Sequence, residues 1–458
     1  MKKLTFSFIF FLFSTTAYTQ ISIDGVVIDK KTKQALAFST IRIIDKKNVA
    51  IADDKGRFVL NYDADELNTI DSIQISYIGY YPLKLAIGDA NKKTFELEEK
   101  SYLLSNIVIR PEIAADKLIE KVIQKFESNF SKDAFEQEGF YRSTITSDNK
   151  YAGINESFVK IYSDGYNKNF SDSKYQFLNS DLVKPLFCRH SKYTVKNDSR
   201  GFINKTRTPR NLLFIKKDLL YNAFLDAKST KFYFYKYLDE KDNDYYVVAF
   251  TPKNNKILYK NSAFEQYADN QVAGKLYIDR ADLGIAKIET TNENWSSSFQ
   301  KITDKLTNHT HRFISRNVSI QFAKYNSKYY VTHINSETSY EDYGWNNNKP
   351  VNIRNKGELS ISNLSSYRQS ADKLREEYGH FRQSGDVKIQ SKQSECSYDI
   401  NFWNKTEKQL TFDYQQLRKD LGNQNLFTND NGLTEYEIKE IINNYTPRGK
   451  ALYYEKNN

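Results

Sequence analysis

Between about residues 136 and 365 the chain repeats one pattern: a run in which apolar and polar side chains alternate, a short turn of Asn, Asp, Ser or Gly, and another such run. A period of two places successive side chains on opposite faces of a strand. In "GFYRSTITSDNKYAGINESFVKIY" the turn falls at Ser147 to Lys150, and in "RFISRNVSIQFAKYNSKYYVTHINSETSY" at Asn326 and Ser327. "YYVVAFTPKNNKILY" and "AGKLYIDRADLGIAKIETT" continue the same meander. Long antiparallel strands of this kind need either closure or a helix over one face. A helix is available just upstream, where Ile119, Val122, Ile123, Phe126 and Phe130 recur at helical spacing within "EIAADKLIEKVIQKFESNF". The fold class predicted is mainly β: a small antiparallel sandwich, then a larger curved antiparallel sheet with packed helices, α+β in arrangement. Hydrophobic residues at 39% supply a core, and a mean hydropathy of -0.69 argues against a body embedded in lipid.

Residues 20 to 109 read as short strands separated by turns: "ISIDGVVID", "STIRIID", "GRFVLNY", "DSIQISYIGYYPLKLAI" and "KKTFELEE". Pro82 falls inside one such run, which places it at an edge or a bulge. The acidic pair Asp53 and Asp54 in "IADDKGRFVL" lacks the further oxygen ligands of a calcium loop. It reads instead as a hairpin turn, with Gly56 at positive φ and an Asp side chain bonding nearby amides. Together "GVVIDKKTKQALAFSTIRI", "IADDKGRFVL" and "ISYIGYYPLKL" resemble the carboxypeptidase regulatory-like domain, a transthyretin-like sandwich of seven-strand type. The resemblance covers about 90 residues and implies an accessory module without catalytic residues.

Lys2 and Lys3, the apolar "LTFSFIFFLF" and the small and polar "STTAYTQ" have the layout of a secretory signal, too short to span a bilayer. The expected organisation is a signal at 1–19, the sandwich at 20–109, the curved-sheet domain with its N-terminal helix at 110–365, and a polar helical region at 366–458 packing on the second domain. In that last region "ADKLREEYGHF", "TFDYQQLRKDL" and "LTEYEIKEIINNY" are short amphipathic helices, the third with Thr434 and Glu437 in capping-box positions. An exported chain is exposed to oxidising conditions, so Cys188 and Cys396, its two cysteines, either pair or stay as buried thiols. The net charge is +10. Residues 20 to 110 carry thirteen basic and thirteen acidic side chains, so beyond the leader lysines the excess lies after residue 110. It favours acidic partners or reflects compositional drift.

Catalytic chemistry is hard to place. There is no His-Glu-x-x-His, Cys-x-x-Cys, phosphate loop or Gly-x-Ser-x-Gly elbow. None of the five histidines has a glutamate three residues on, as a zinc carboxypeptidase would require. Ser171 and Lys174 have the spacing of a serine acyl-transfer pair but sit in a polar stretch. His309 and His311 share a strand face and are weak metal candidates. The turn at Asn326 and Ser327 pairs His333 with about position 320, which separates it from them by roughly 30 Å of ladder. No metal, cofactor or catalytic residue is expected. Arg200, Lys205, Arg207 and Arg210, with Lys216 and Lys217 beyond, form a basic stretch suited to a phosphate-rich ligand or partner, or a solvated loop leading into a helix.

"YYVVAF" and "GKLYIDRADLGIAKIE" weakly resemble periplasmic lipoprotein carriers, in which a curved sheet wraps a helix and shelters acyl chains. "EGFYRSTI" and "DINFWNK" resemble uncharacterised envelope proteins with the same first domain. The polar end "YYEKNN" lacks the final aromatic strand of an outer-membrane barrel. The resulting expectation is an exported protein, periplasmic or associated with the outer membrane, with no transmembrane segment in the mature chain. It would be non-catalytic, bind or dock an envelope protein, a lipid or a glycan, and have no nucleic-acid partner. The alternative is a hydrolase with its site in the second domain.

Overall fold

The computed structural model describes residues 20–36, 39–44, 49–53, 55–63, 71–77, 80–90, 93–99, 113–163, 165–166, 181–191, single positions between 212 and 231, 233–238, 244–253, 273–291, 302–304, 309–344, 349–366, 403, 404, 407 and 412–422. The predicted leader, the linker after residue 100, the Ser171–Lys174 pair and the helices expected from "ADKLREEYGHF" and "LTEYEIKEIINNY" lie outside these residues.

Seven short strands make the first unit: β1 (Gln20–Asp29), β2 (Thr40–Ile43), β3 (Val49–Ile51), β4 (Arg57–Asp63), β5 (Ser72–Ser76), β6 (Leu83–Ala86) and β7 (Thr94–Leu97). They form two sheets, ordered β4-β1-β7 and β3-β2-β5-β6. Alternate residues of each strand turn inward, so Val27, Ile41, Ile43, Phe58, Leu60, Ile73, Ile75, Phe95 and Leu97 form one core. Pro82 precedes β6, which is an edge strand, so its missing N–H leaves no ladder bond unmade. The pairing is antiparallel except between β1 and β7, which run parallel because the chain returns to β1 only after building the opposite sheet.

Asp53 stands at a turn, but β3 and β4 are not a hairpin, because they belong to different sheets. The turn carries the chain across the sandwich. Asp53 seals it: Oδ1 accepts from the amides of Lys55 (2.9 Å) and Arg57 (2.7 Å), and Oδ2 accepts from Arg57 Nε (2.9 Å). Gly56 has φ +73, and a Cβ there would lie 2.4 Å from the Val27 carbonyl oxygen, so both conformation and space require glycine. With its carboxylate committed to these donors, Asp53 has the geometry of a corner brace. Asp54 lies outside the described residues.

The second unit is a long antiparallel sheet of β8 (Phe135–Ser147), β9 (Lys150–Ser163), β10 (Leu182–His190), β11 (Tyr233–Tyr237), β12 (Tyr245–Pro252), β13 (Ala273–Asp279), β14 (Ile285–Thr291), β15 (Ile302–Asp304), β16 (His309–Tyr325), β17 (Lys328–Gly344) and β18 (Val351–Ser366). The order is β10-β9-β8-β18-β17-β16-β14-β13-β12-β11, with β15 on β16. Both predicted hairpins are present. Asp148 and Asn149 have φ 48 and 65, and Asn326 and Ser327 have φ 46 and 64. Two successive positive φ values make the tight turn whose twist matches that of the flanking strands.

One face of this sheet is apolar and covered from within the chain. Helix α1 (Ala115–Asn129) buries Leu118, Ile119, Val122, Ile123 and Phe126 against it. At about 2 kcal/mol of burial for each such side chain, the contact outweighs the marginal stability of an isolated helix of this length. The ends of α1 are tied to opposite parts of the sheet. Tyr237 Oη donates to the Ile113 carbonyl (3.1 Å), Asn129 Nδ2 donates to the Asp282 carbonyl (2.9 Å), and Phe130 bridges to Tyr329.

The other face carries two covers. Strand β3 of the sandwich lies against β17 and β18, and Arg42 Nη1 donates to the Lys324 carbonyl (3.1 Å). Helix α2 (Tyr414–Leu421), from the predicted "TFDYQQLRKDL", lies on β9, with Asp413 capping it through the amide of Gln416 (2.9 Å). Among the described residues no helix is long and apolar enough to cross a membrane.

Candidate functional site

The covered face of the sheet bounds a filled apolar hollow: Tyr141, Ile161, Val248, Phe250, Leu276, Ile278, Ile288, Ile320, Val331, Ile334, Leu359 and Ile361 are buried there in one cluster. Besides α1, a second layer enters it: Leu212, Leu213, Ile215, Leu219 and Leu220 are buried in the same cluster. Gly357 on β18 faces this layer, and a Cβ there would meet Leu212 at 3.4 Å, an ordinary contact.

One residue of that layer is charged. Lys216 is 1% exposed and pairs through Nζ with Asp181 Oδ2 at 2.9 Å, while Asp181, just ahead of β10, is 2% exposed. The ammonium also lies 5.2 Å from the centre of the Tyr166 ring. Tyr166 belongs to an aromatic group at the end of α1, stacked on Phe135 (5.7 Å) and edge-on to Phe130 (5.0 Å). An ion pair thus sits within leucine, isoleucine and aromatic surroundings. Of the lysines at the start of the expected helix, Lys216 turns inward beside the buried Ile215, and Lys217 lies outside the described residues.

A second buried charge cluster lies on the opposite face. Arg142, Glu156 and Arg189 stand side by side in one row across β8, β9 and β10. Glu156 Oε1 accepts from Arg142 Nε and Oε2 from Arg189 Nε, both at 2.7 Å, and Tyr414 Oη of α2 donates to Oε1. Arg189 also reaches Glu407 (2.7 Å) and stacks on Trp403 (4.2 Å). Arg142 lies 4.3 Å from the Phe412 ring centre. Burial disfavours the charged form of Glu156, but the two guanidinium groups and the Tyr414 hydroxyl outweigh it and hold the carboxyl below the ordinary carboxylate range. These groups spend their bonding capacity on one another, so the cluster clamps the 403–421 segment onto the sheet edge.

Of the sequence candidates, Arg200, Lys205, Arg207 and Arg210 lie outside the described residues, as does Cys396. Cys188, beside Arg189 on β10, is disulfide-bonded. His309 and His311 are at the start of β16, where the backbone register sets them opposite Asp304 and Ile302 of β15. His333 pairs with Gln321, twelve positions along β16 from His309. Among the described residues no group of three His, Cys, Asp or Glu side chains could hold a metal ion.

His333 is fully buried on β17, with Nδ1 hydrogen-bonded to Ser360 Oγ at 3.2 Å. Burial lowers its pKa to about 4; Glu358 pulls it up, and Lys356 and Lys287 push it down. Between the unfolded value of about 6.5 and the folded value, only the unfolded chain takes the proton. This contribution to stability is therefore complete above pH 6.5 and is lost as pH falls towards 4, to a total of about 3 kcal/mol. Urea unfolding of wild type and His333→Gln at pH 7.5 and 4.5 is expected to show a smaller acid loss in the variant. Equal losses would refute the assignment.

Neither ion-paired cluster was legible as a site. Asp181 and Lys216 are 35 residues apart with no motif joining them, and Arg142, Glu156 and Arg189 occupy strand positions that alternation assigns to the solvent side.

Residues 23–109, the sandwich, match the model of the CarboxypepD_reg-like domain family. No curated protein matches the chain. Among solved structures, the chain is similar to a LolA superfamily protein from Nitrosomonas europaea (13% identity, 57% of this chain and 97% of that one, TM-score 0.25). It is likewise similar to a DUF1329 family protein from Desulfovibrio piger (12% identity, 56% and 94%, TM-score 0.26). A third similarity is to the MucA/MucB complex from Pseudomonas aeruginosa (7% identity, 56% and 99%, TM-score 0.16).

Proposed function

We propose that this is a non-catalytic exported envelope protein whose larger domain, from residue 110 to 365, holds the acyl part of an amphipathic ligand in its apolar hollow. The sandwich serves as a docking module towards other envelope components, and the region after residue 365 braces the sheet edge. The buried Lys216–Asp181 pair is the observation that carries this reading. Two charges taken out of water recover little more than their desolvation cost, and well-packed apolar residues in their place are often more stable by about 1–4 kcal/mol. A layer built only to fill the hollow would be apolar throughout. A layer that must withdraw benefits from charges that regain hydration on leaving, while the pair restores the same seat on return. The layer of Leu212, Leu213, Ile215, Lys216, Leu219 and Leu220 is thus a displaceable plug, and the surface it vacates is apolar.

The test is uptake of dansyl-labelled undecanoic acid, followed by its fluorescence. The wild type is expected to bind, and the variant Lys216→Met with Asp181→Leu, whose plug is apolar, to bind about tenfold more weakly or less while unfolding at higher urea. Binding unchanged by the double substitution would overturn the plug. Absence of binding together with turnover of a chromogenic ester would favour a hydrolase.

A further inference from the structure

The far edge of the large sheet shows a different surface. β11 is its last strand, and Phe234 on it is 61% exposed, one of two large apolar side chains so exposed among the described residues. Its neighbours β12 and β13 fix what surrounds it. Phe234 pairs with Thr251, Lys236 with Ala249, and Ala249 with Lys275. The inward residues of these strands are Val248, Phe250, Leu276 and Ile278, so Phe234, Lys236, Ala249, Thr251 and Lys275 share the face turned away from the hollow. Lys236 and Lys275 are two strands apart, roughly 10 Å. Lys253, one position beyond β12, folds back over the Phe234 ring with Nζ 5.3 Å from its centre. Lys275 is half-buried and stands directly opposite Glu289 of β14, whose carboxyl is drawn to both Lys275 and Lys287.

We propose that this edge is a docking surface for an anionic lipid membrane. An exposed aromatic ring with Lys253 over it and Lys236 further along the same face is a combination an interface selects: the ring enters the headgroup boundary while the ammonium groups face phosphate. Lysine stems also tolerate such a boundary, since their methylenes bury while the charge stays wet. The charge agrees, because the basic excess of the chain lies after residue 110, in the part that carries this edge. This inference does not depend on the plug: the patch is on the opposite face of the sheet from Lys216 and Asp181.

Flotation of the mature protein with vesicles of phosphatidylglycerol and phosphatidylcholine, against phosphatidylcholine alone, tests it. Binding is expected only to the anionic vesicles and is expected to weaken as salt rises. At roughly fivefold for each lysine near such a surface, Lys236→Gln and Lys253→Gln together should cost about twenty-fivefold, and adding Lys275→Gln, which is opposite Glu289, should cost less than a further fivefold. Phe234→Ser should cost a further several-fold with no change in charge. Phe234, Lys236 and Lys253 are exposed and Lys275 is half-buried, and unchanged thermal unfolding verifies that the variants fold. No binding to anionic vesicles, or full binding by the triple variant, would overturn the proposal. So would equal loss on heparin with no effect of Phe234→Ser, which would mark a polyanion site. Dansyl-undecanoate uptake should be unaffected by these variants, which separates failure here from failure of the plug.

Discussion

Glu156→Ala is expected to destabilise the protein by about 3–5 kcal/mol, because it leaves Arg142 and much of Arg189 buried without the carboxylate they share. The damage should be local first. Tyr414 loses its acceptor, and α2 is then held mainly by Leu417 and Leu421 on Ile154 and by Asp420, which accepts from the Tyr151 amide at 2.9 Å. Limited proteolysis should therefore cut within 403–422 in the variant under conditions that leave the wild type intact, and urea unfolding should begin earlier. A loss below 1 kcal/mol with unchanged proteolysis would show that the cluster contributes little. The wild-type contribution has a definite pH sense. The Glu156 carboxyl is held below its unfolded value, so its stabilisation is full above the ordinary carboxylate range and disappears as pH falls through the lowered one.

Asp181→Ala should be comparably severe, about 3–5 kcal/mol, since it leaves the buried Lys216 ammonium without the carboxylate it pairs with. The informative comparison is with the apolar double variant. If the single substitution harms because a charge is stranded, replacing both partners should restore stability to the wild-type level or above, a strong departure from additivity measurable by urea unfolding. Additive losses would mean that the two side chains act independently. The single variant should also open the hollow more readily, so its affinity for the acyl probe should rise where that of the double variant falls.

How much of this was legible can be argued from particular residues. The helix at 115–129 was, because Ile119, Val122, Ile123 and Phe126 repeat with the helix period and only one face of such a segment can be buried. The turns at Asp148–Asn149 and Asn326–Ser327 were, because those residue types tolerate positive φ between two alternating runs. The turn at Asp53 was half legible. Its local chemistry was correct, but whether the next strand pairs with the previous one or crosses to the other sheet depends on Val27, whose amide bonds the Gly56 carbonyl at 2.7 Å. No residue near the turn encodes that choice.

The buried ion pairs mark the same division. Alternation along β8 and β9 determined which side chains point away from the hollow, and so put Arg142 and Glu156 on one face. It could not determine that Trp403, Glu407 and Tyr414 would come to lie over that face and turn a solvent-facing row into a buried one. Local sequence thus determined strands, turns, one helix and the kind of first domain, because each depends on backbone preferences and on a period of a few residues. The tertiary structure alone decided which charges are dry and paired, because burial is set by what packs on top, and here those covers come from tens to hundreds of residues away.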